Sequence, residues 1–177
     1  MRLKITLLVI IAGIGLMASQ GCDEDTKGEV PTFGIDTLSS DLESFAGTAV
    51  QGFDFSEARI RYENVMGVNE IIDFALQPQV NAMNQGIGGW LWLPAQQPAF
   101  YDMGPTPLPT ITEAPENGYI PEVIISPGFS YCIITAEEHY AKIYILELDY
   151  GSRPNGEPFA WIRFNWEYQP DGSRYFN

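Results

Sequence analysis

The sequence predicts an all-β fold: an antiparallel sheet sandwich or barrel-like domain with one long Pro/Gly-rich loop and room for one short N-terminal helix. Three observations predict it. The last third holds three strand-length runs rich in aromatic and β-branched residues, "SYCIIT", "YAKIYILELDY" and "FAWIRFNWEYQ". In the last run Ile162, Phe164, Trp166 and Tyr168 fall on one side of a pleated chain and Arg163, Asn165 and Glu167 on the other. That is the alternation of a half-buried antiparallel strand. "SRPNGEP" and "QPDG" bracket it with turn-forming residues.

From the N-terminus, Met1–Gly21 reads as an export signal. Arg2 and Lys4 precede the apolar run "ITLLVIIAGIGLMA" and the small-residue exit "SQG". The run is shorter than the roughly twenty residues a bilayer-spanning helix needs. Cys22 follows Gly21, and the stretch resembles the lipobox of bacterial lipoproteins, in which the cysteine becomes the acylated first residue. Ser19 departs from that pattern where leucine is usual. The resemblance implies lipidation at Cys22, membrane attachment through an N-terminal lipid, and residence in the bacterial cell envelope as an outer-membrane lipoprotein, periplasmic or surface-exposed. The acidic run Asp23–Asp25 resembles the export signals of some surface lipoproteins.

Residues 22–44 read as an acidic tether, since "DEDTKGEVPTFG" is polar and punctuated by Pro and Gly. Residues 45–177 then form a single domain of common size, large enough to bury a core without a disulfide. Ser40 and Glu43 have capping-box spacing, and Leu38, Leu42 and Phe45 would line one side of a short helix. "FDFSEARIRY" reads as a first strand and "EIIDFALQ" as a second, ended by Pro78. "NQGIGG" reads as a link into "WLWL". Prolines from Pro94 to Pro121 forbid continuous ladders, so that stretch reads as a long loop with short edge pieces. "SRYFN" reads as a short closing strand.

The formal charge is −14, and loss of Met1–Gly21 with its two cations takes it to −16. Such a field repels phosphate backbones and excludes nucleic acid as a natural partner. If Cys22 is acylated, Cys132 has no disulfide partner, and its apolar strand marks it as a small buried hydrophobe.

The only histidine, His139, lies in "AEEHY" between two strand runs, where it reads as a solvated residue at a hairpin tip beside Glu137 and Glu138. Haem ligation would need a second axial ligand, for which Met66, Met83 and Met103 are the soft candidates. No Gly-x-Ser-x-Gly elbow accompanies the histidine, "GIGGWL" has Leu91 where a dinucleotide loop needs its third glycine, and no structural-zinc ligand set exists. A non-enzyme without cofactor is the expectation. For binding, Trp90 and Trp92 alternate onto one strand face. With Tyr101 and the flanking Asn84, Gln85, Gln96 and Gln97 they are the candidate ligand-binding residues for a sugar or an apolar ligand.

"FDFSEARI", "IIDFALQPQVNAMNQGIGG", "TEAPENGY", "YCIITAEEHYAKIYIL" and "IRFNWEYQ" occur in an order that resembles HmuY-like bacterial lipoproteins over Phe53–Phe176. The resemblance implies an all-β fold and, in the founding member, haem capture through two histidines. The segment that carries them is missing here, because only "IPEVIISPGFS" separates Tyr119 from Tyr131. Neither ligand maps onto this sequence. The expected function is non-catalytic binding of a small ligand by a lipid-anchored envelope protein. The alternative is a structural or adhesive component that contacts another envelope protein, and haem capture and catalysis rank below both.

Overall fold

The computed structural model describes residues 30–40, 49–64, 72–92 and 99–176. Met1–Gly21, Cys22, Met66, Gln96 and Gln97, together with most of the expected helix around Phe45, lie outside the described residues. Among the described residues ten strands form two antiparallel sheets: β1 (Phe33–Ser39), β2 (Ala49–Asp54), β3 (Arg59–Asn64), β4 (Phe74–Val80), β5 (Gly86–Trp92), β6 (Phe100–Asp102), β7 (Glu122–Ile124), β8 (Ser130–Ile134), β9 (Tyr140–Ser152) and β10 (Pro158–Gln169). One sheet has the order β1-β10-β9-β8-β6 and the other β3-β2-β4-β5-β7. Neither closes on itself, so the fold is a sandwich and not a barrel. No helix among the described residues is long and apolar enough to cross a membrane.

The core lies between the sheets and is built from one face of each strand. Ile162, Phe164, Trp166 and Tyr168 of β10 are all buried, as their alternation requires. They meet the facing sheet through rings: Phe53 packs edge-on against Phe164 at 5.4 Å and tilted against Trp166 at 5.4 Å, and Phe55 stacks on Tyr168 at 6.0 Å. These contacts hold the sheets at aromatic packing distance. The Tyr131 ring is fully buried. Its hydroxyl accepts the Ser126 N–H at 3.0 Å and reaches the Ile124 carbonyl at 3.3 Å, fastening the β7–β8 turn.

Several expectations are corrected. Phe33–Ser39, read as part of the tether, is β1, paired along its length with β10. The Ser40 hydroxyl is engaged by β10: it accepts the Ala160 N–H at 2.8 Å, and the Ser40 N–H donates to the Ala160 carbonyl at 2.9 Å, extending the ladder. "FDFSEARIRY" is not one strand but the β2–β3 hairpin. Asp54 accepts from Ser56 Oγ, the Glu57 N–H and Arg61 Nε, and Ala58 turns the chain at φ 50°. The second strand runs through Pro78 to Val80. It can do so because β2 pairs with β4 only at Phe74 and Ala75, so at Pro78 no second ladder needs the missing N–H.

The glycines of "NQGIGG" are strand, not link. A side chain at Gly86 would overlap the Gly151 carbonyl, which brings the tip of β9 against the start of β5. The proline-rich stretch contributes the short edge strand β6 and a 3-10 turn at Leu108–Thr110. Its Ile111 and Ala114 then pack over the outer face of the first sheet with Cys132 and Phe176. The closing strand reduces to a bridge between Glu113 and Tyr175.

Candidate functional site

In β5 the inward positions are Gly89 and Leu91, so Trp90 and Trp92 point away from the core onto the outer face of the second sheet, half-buried. Strand register sets their neighbours. Trp92 stands beside Ala75 of β4 and Glu122 of β7, and Trp90 beside Gln77 of β4 and Ile124 of β7. The next row along pairs Gln79 with Gly88.

The two indoles differ in what they touch. Trp92 packs on Ile72 and Ala75 in a small outer cluster. That cluster sits where Gly52 leaves space, since a Cβ there would overlap Ile72 and lie 2.7 Å from the Phe74 carbonyl. Trp90 belongs to none of the packed clusters among the described residues. Its neighbour Ile124 is 58 % exposed, so the ring borders open surface. The Trp92 indole N–H is buried and meets no acceptor among the described residues.

Tyr101 does not join them. It lies in β6 of the other sheet, opposite Cys132, and its ring packs edge-on against Tyr119 at 5.8 Å. The candidate set therefore splits between the outer faces of the two sheets. Asn84 and Gln85 also fall elsewhere, in the β4–β5 turn organised by the Asn81 carboxamide. The polar neighbours of Trp90 come instead through strand pairing, as Gln77 and Gln79. Sequence adjacency could not show this; the hydrophobic alternation of "FALQPQV" against "GIGGWLW" carried the signal.

His139 closes the β8–β9 hairpin, as expected, but it is not simply solvated. Its Nδ1 lies 2.8 Å from the Tyr168 hydroxyl, its N–H donates to Thr135 Oγ1 at 3.1 Å, and its ring lies against Gly172. Glu137 and Glu138 are exposed, and Glu138 takes φ 63°. Met83 lies in the β4–β5 turn, whereas Met103 packs with the outer cluster of the first sheet.

Beside this hairpin is a carboxyl that sequence reasoning missed. Asp73 is buried and joins the two sheets: Oδ2 accepts the Phe55 N–H at 2.7 Å and Oδ1 the Ala136 N–H at 2.8 Å. Burial pushes its pKa up to about 7, against the pull of those two donors, with Glu137 and Asp54 adding to the rise. The Tyr168 hydroxyl is pushed up to about 12, by burial first and then by Glu137, Asp73 and Asp54.

A second missed group is Lys142, buried on the outer face of the first sheet. Its Nζ donates to the Ile111 carbonyl at 2.8 Å, pairs with Glu167 at 2.9 Å and lies 4.5 Å from the centre of the Phe176 ring. The adjacent Cys132 thiol is pushed up to about 12 by burial, although Lys142 opposes the shift, so it is no thiolate nucleophile. In both missed cases a lone charge interrupts an apolar strand, in "IIDFAL" and "YAKIYIL". No group of three or more His, Cys, Asp or Glu among the described residues could hold a metal.

No protein-family model matches the chain, and a search of curated proteins finds no significant match.

Proposed function

We propose that the chain is a lipid-anchored envelope protein whose sandwich binds a ligand without chemistry, through the outer face that carries Trp90. The observation that carries this reading is the position of Trp90: a large, half-buried ring outside every packed cluster of the described residues, with Gln77 on one side and exposed Ile124 on the other. A ring held by a rigid strand loses little freedom when a ligand covers it. The anchor rests on the signal-like Met1–Gly21 and on Cys22, and the ordered motifs over Phe53–Phe176 add the HmuY-like resemblance. In this reading the protein has neither haem nor catalytic role, and its acidic body stands off the outer membrane on its tether.

A thermal-shift screen of the full chain against Trp90→Ala tests the binding role. A ligand that stabilises only the parent chain is expected, and a screen in which every stabiliser acts equally on both refutes the Trp90 face. Mass spectrometry of the mature N-terminus tests the anchor, and an unmodified Cys22 refutes it.

One observation favours a second reading, a structural or adhesive component. On edge strand β1, Phe33 is 74 % exposed and Ile35 57 % exposed, both on the outer face. An edge with outward apolar residues suits protein contact. Replacing both residues with threonine would then lower adhesion or assembly and leave Trp90-dependent binding intact.

A further inference from the structure

We infer that the Trp90 face binds a neutral glycan chain. The inference rests on the binding role proposed above and names its ligand class. The face combines one stacking ring with amides. Trp90 offers a flat apolar surface suited to the C–H side of a pyranose ring. Gln77 stands directly across from it, and Gln79 lies one row further along the same face. A carboxamide both donates and accepts, as does each sugar hydroxyl, so a pair of them can meet neighbouring hydroxyls in either sense. Among the described residues neither the Gln77 nor the Gln79 side chain has a bonding partner, so both amides have hydrogen-bonding capacity to offer.

The shape of the surface points the same way. Gly88 shares a face with Trp90 and contributes no side chain beside the ring; the Gln79 Oε1 lies 2.8 Å from where its Cβ would stand. The two rows are two residues apart, about 7 Å along the strand, a step on the scale of one sugar unit. Gly88 itself is buried under the Gln79 side chain, so the ring and the amides form a shallow strip along the strands. Such a strip suits consecutive units of a chain, whereas a single small molecule is better held in an enclosed cleft.

Charge narrows the class further. At −14 overall, the protein repels sulfated and uronic-acid polymers. Arg61, in the same row as Trp92, is already held by Asp54 and Glu57. On the far side, exposed Glu122 adds a hydroxyl acceptor and another barrier to anions. A purely apolar ligand would leave Gln77, Gln79 and Glu122 covered without partners.

Affinity electrophoresis of the full chain tests this with soluble neutral polysaccharides (a β-glucan, a mannan and a xylan), with heparin, and with the apolar dye ANS followed by fluorescence. At least one neutral polysaccharide is expected to retard the protein, and heparin is not. Trp90→Ala should weaken retardation about tenfold or more, and Gln77→Ala should weaken it with the melting curve unchanged, since that amide bonds to nothing described. Trp90→Phe, which keeps a ring, should retain part of it. Retardation by no neutral polysaccharide, or retardation indifferent to Trp90 and Gln77, overturns the glycan assignment. Trp90-dependent binding of ANS alone overturns it while leaving the binding role standing; loss of both overturns the two together.

Discussion

The imidazole Nδ1 of His139 lies 2.8 Å from the hydroxyl of Tyr168, joining the β8–β9 turn to the last residues of β10. The only histidine of the chain is thereby engaged in holding a hairpin against a strand. Tyr168→Phe keeps the ring stacked on Phe55 and removes only this bond. A loss of about 1 kcal/mol in urea unfolding is expected. A Tyr168→Phe variant as stable as the parent shows that the bond adds nothing.

Asp73 sets a pH dependence. Its folded pKa, about 7, lies above the ordinary 3.8, so between those values the folded protein binds the extra proton. Stability from this group is full below about pH 4 and falls as pH rises through 7, because the charged form must then be kept buried. Melting temperature should therefore decline from pH 5 to pH 8. The decline should disappear in Asp73→Asn, which also leaves one of the two N–H donors without its carboxylate acceptor and melts lower at pH 5. A parent profile that is flat or rising across this range contradicts the assignment.

Lys142 holds three parts of the chain at once, through Ile111, Glu167 and Phe176. Lys142→Ala removes the charge and the packed stem, and a cost of about 3 kcal/mol is expected from an ion pair broken in a buried place. Lys142→Met restores the stem and should recover part of it. Limited proteolysis should cut near Arg174 faster in the alanine variant, because Phe176 loses the group it covers.

Cys132 is buried, with its thiol pushed up to about 12. Iodoacetamide at pH 8 should leave it unlabelled in the folded protein and label it in urea. Rapid labelling without denaturant would show that the outer cluster opens.

The C-terminal strands were legible because their apolar residues repeat every second position and face the core. Strand β1 was hidden for the opposite reason. Two of its three large apolar residues, Phe33 and Ile35, point outward, while the inward positions hold Gly34, Asp36 and only one such residue, Leu38. Asp36 belongs there because it accepts the Trp166 indole N–H at 2.8 Å, a partner no local pattern reveals. The β2–β3 hairpin was missed because Phe55, a turn residue, is fully buried and extends the apparent alternation of Phe53. The Trp90 and Trp92 pair was visible as an alternation. The separation of Tyr101 from it was not, because β5 and β6 belong to different sheets.

Asp36 and Trp166 stand 130 positions apart, yet their strands lie side by side. A polypeptide that threads out N-terminus first presents β1 long before β10 exists for it to pair with. Such distant pairing is slow, and the unfinished sheet stays adhesive until the final hairpin arrives. The earliest strand to appear is therefore among the last to find its place, and its outward Phe33 and Ile35 stay unpaired with their sheet until then.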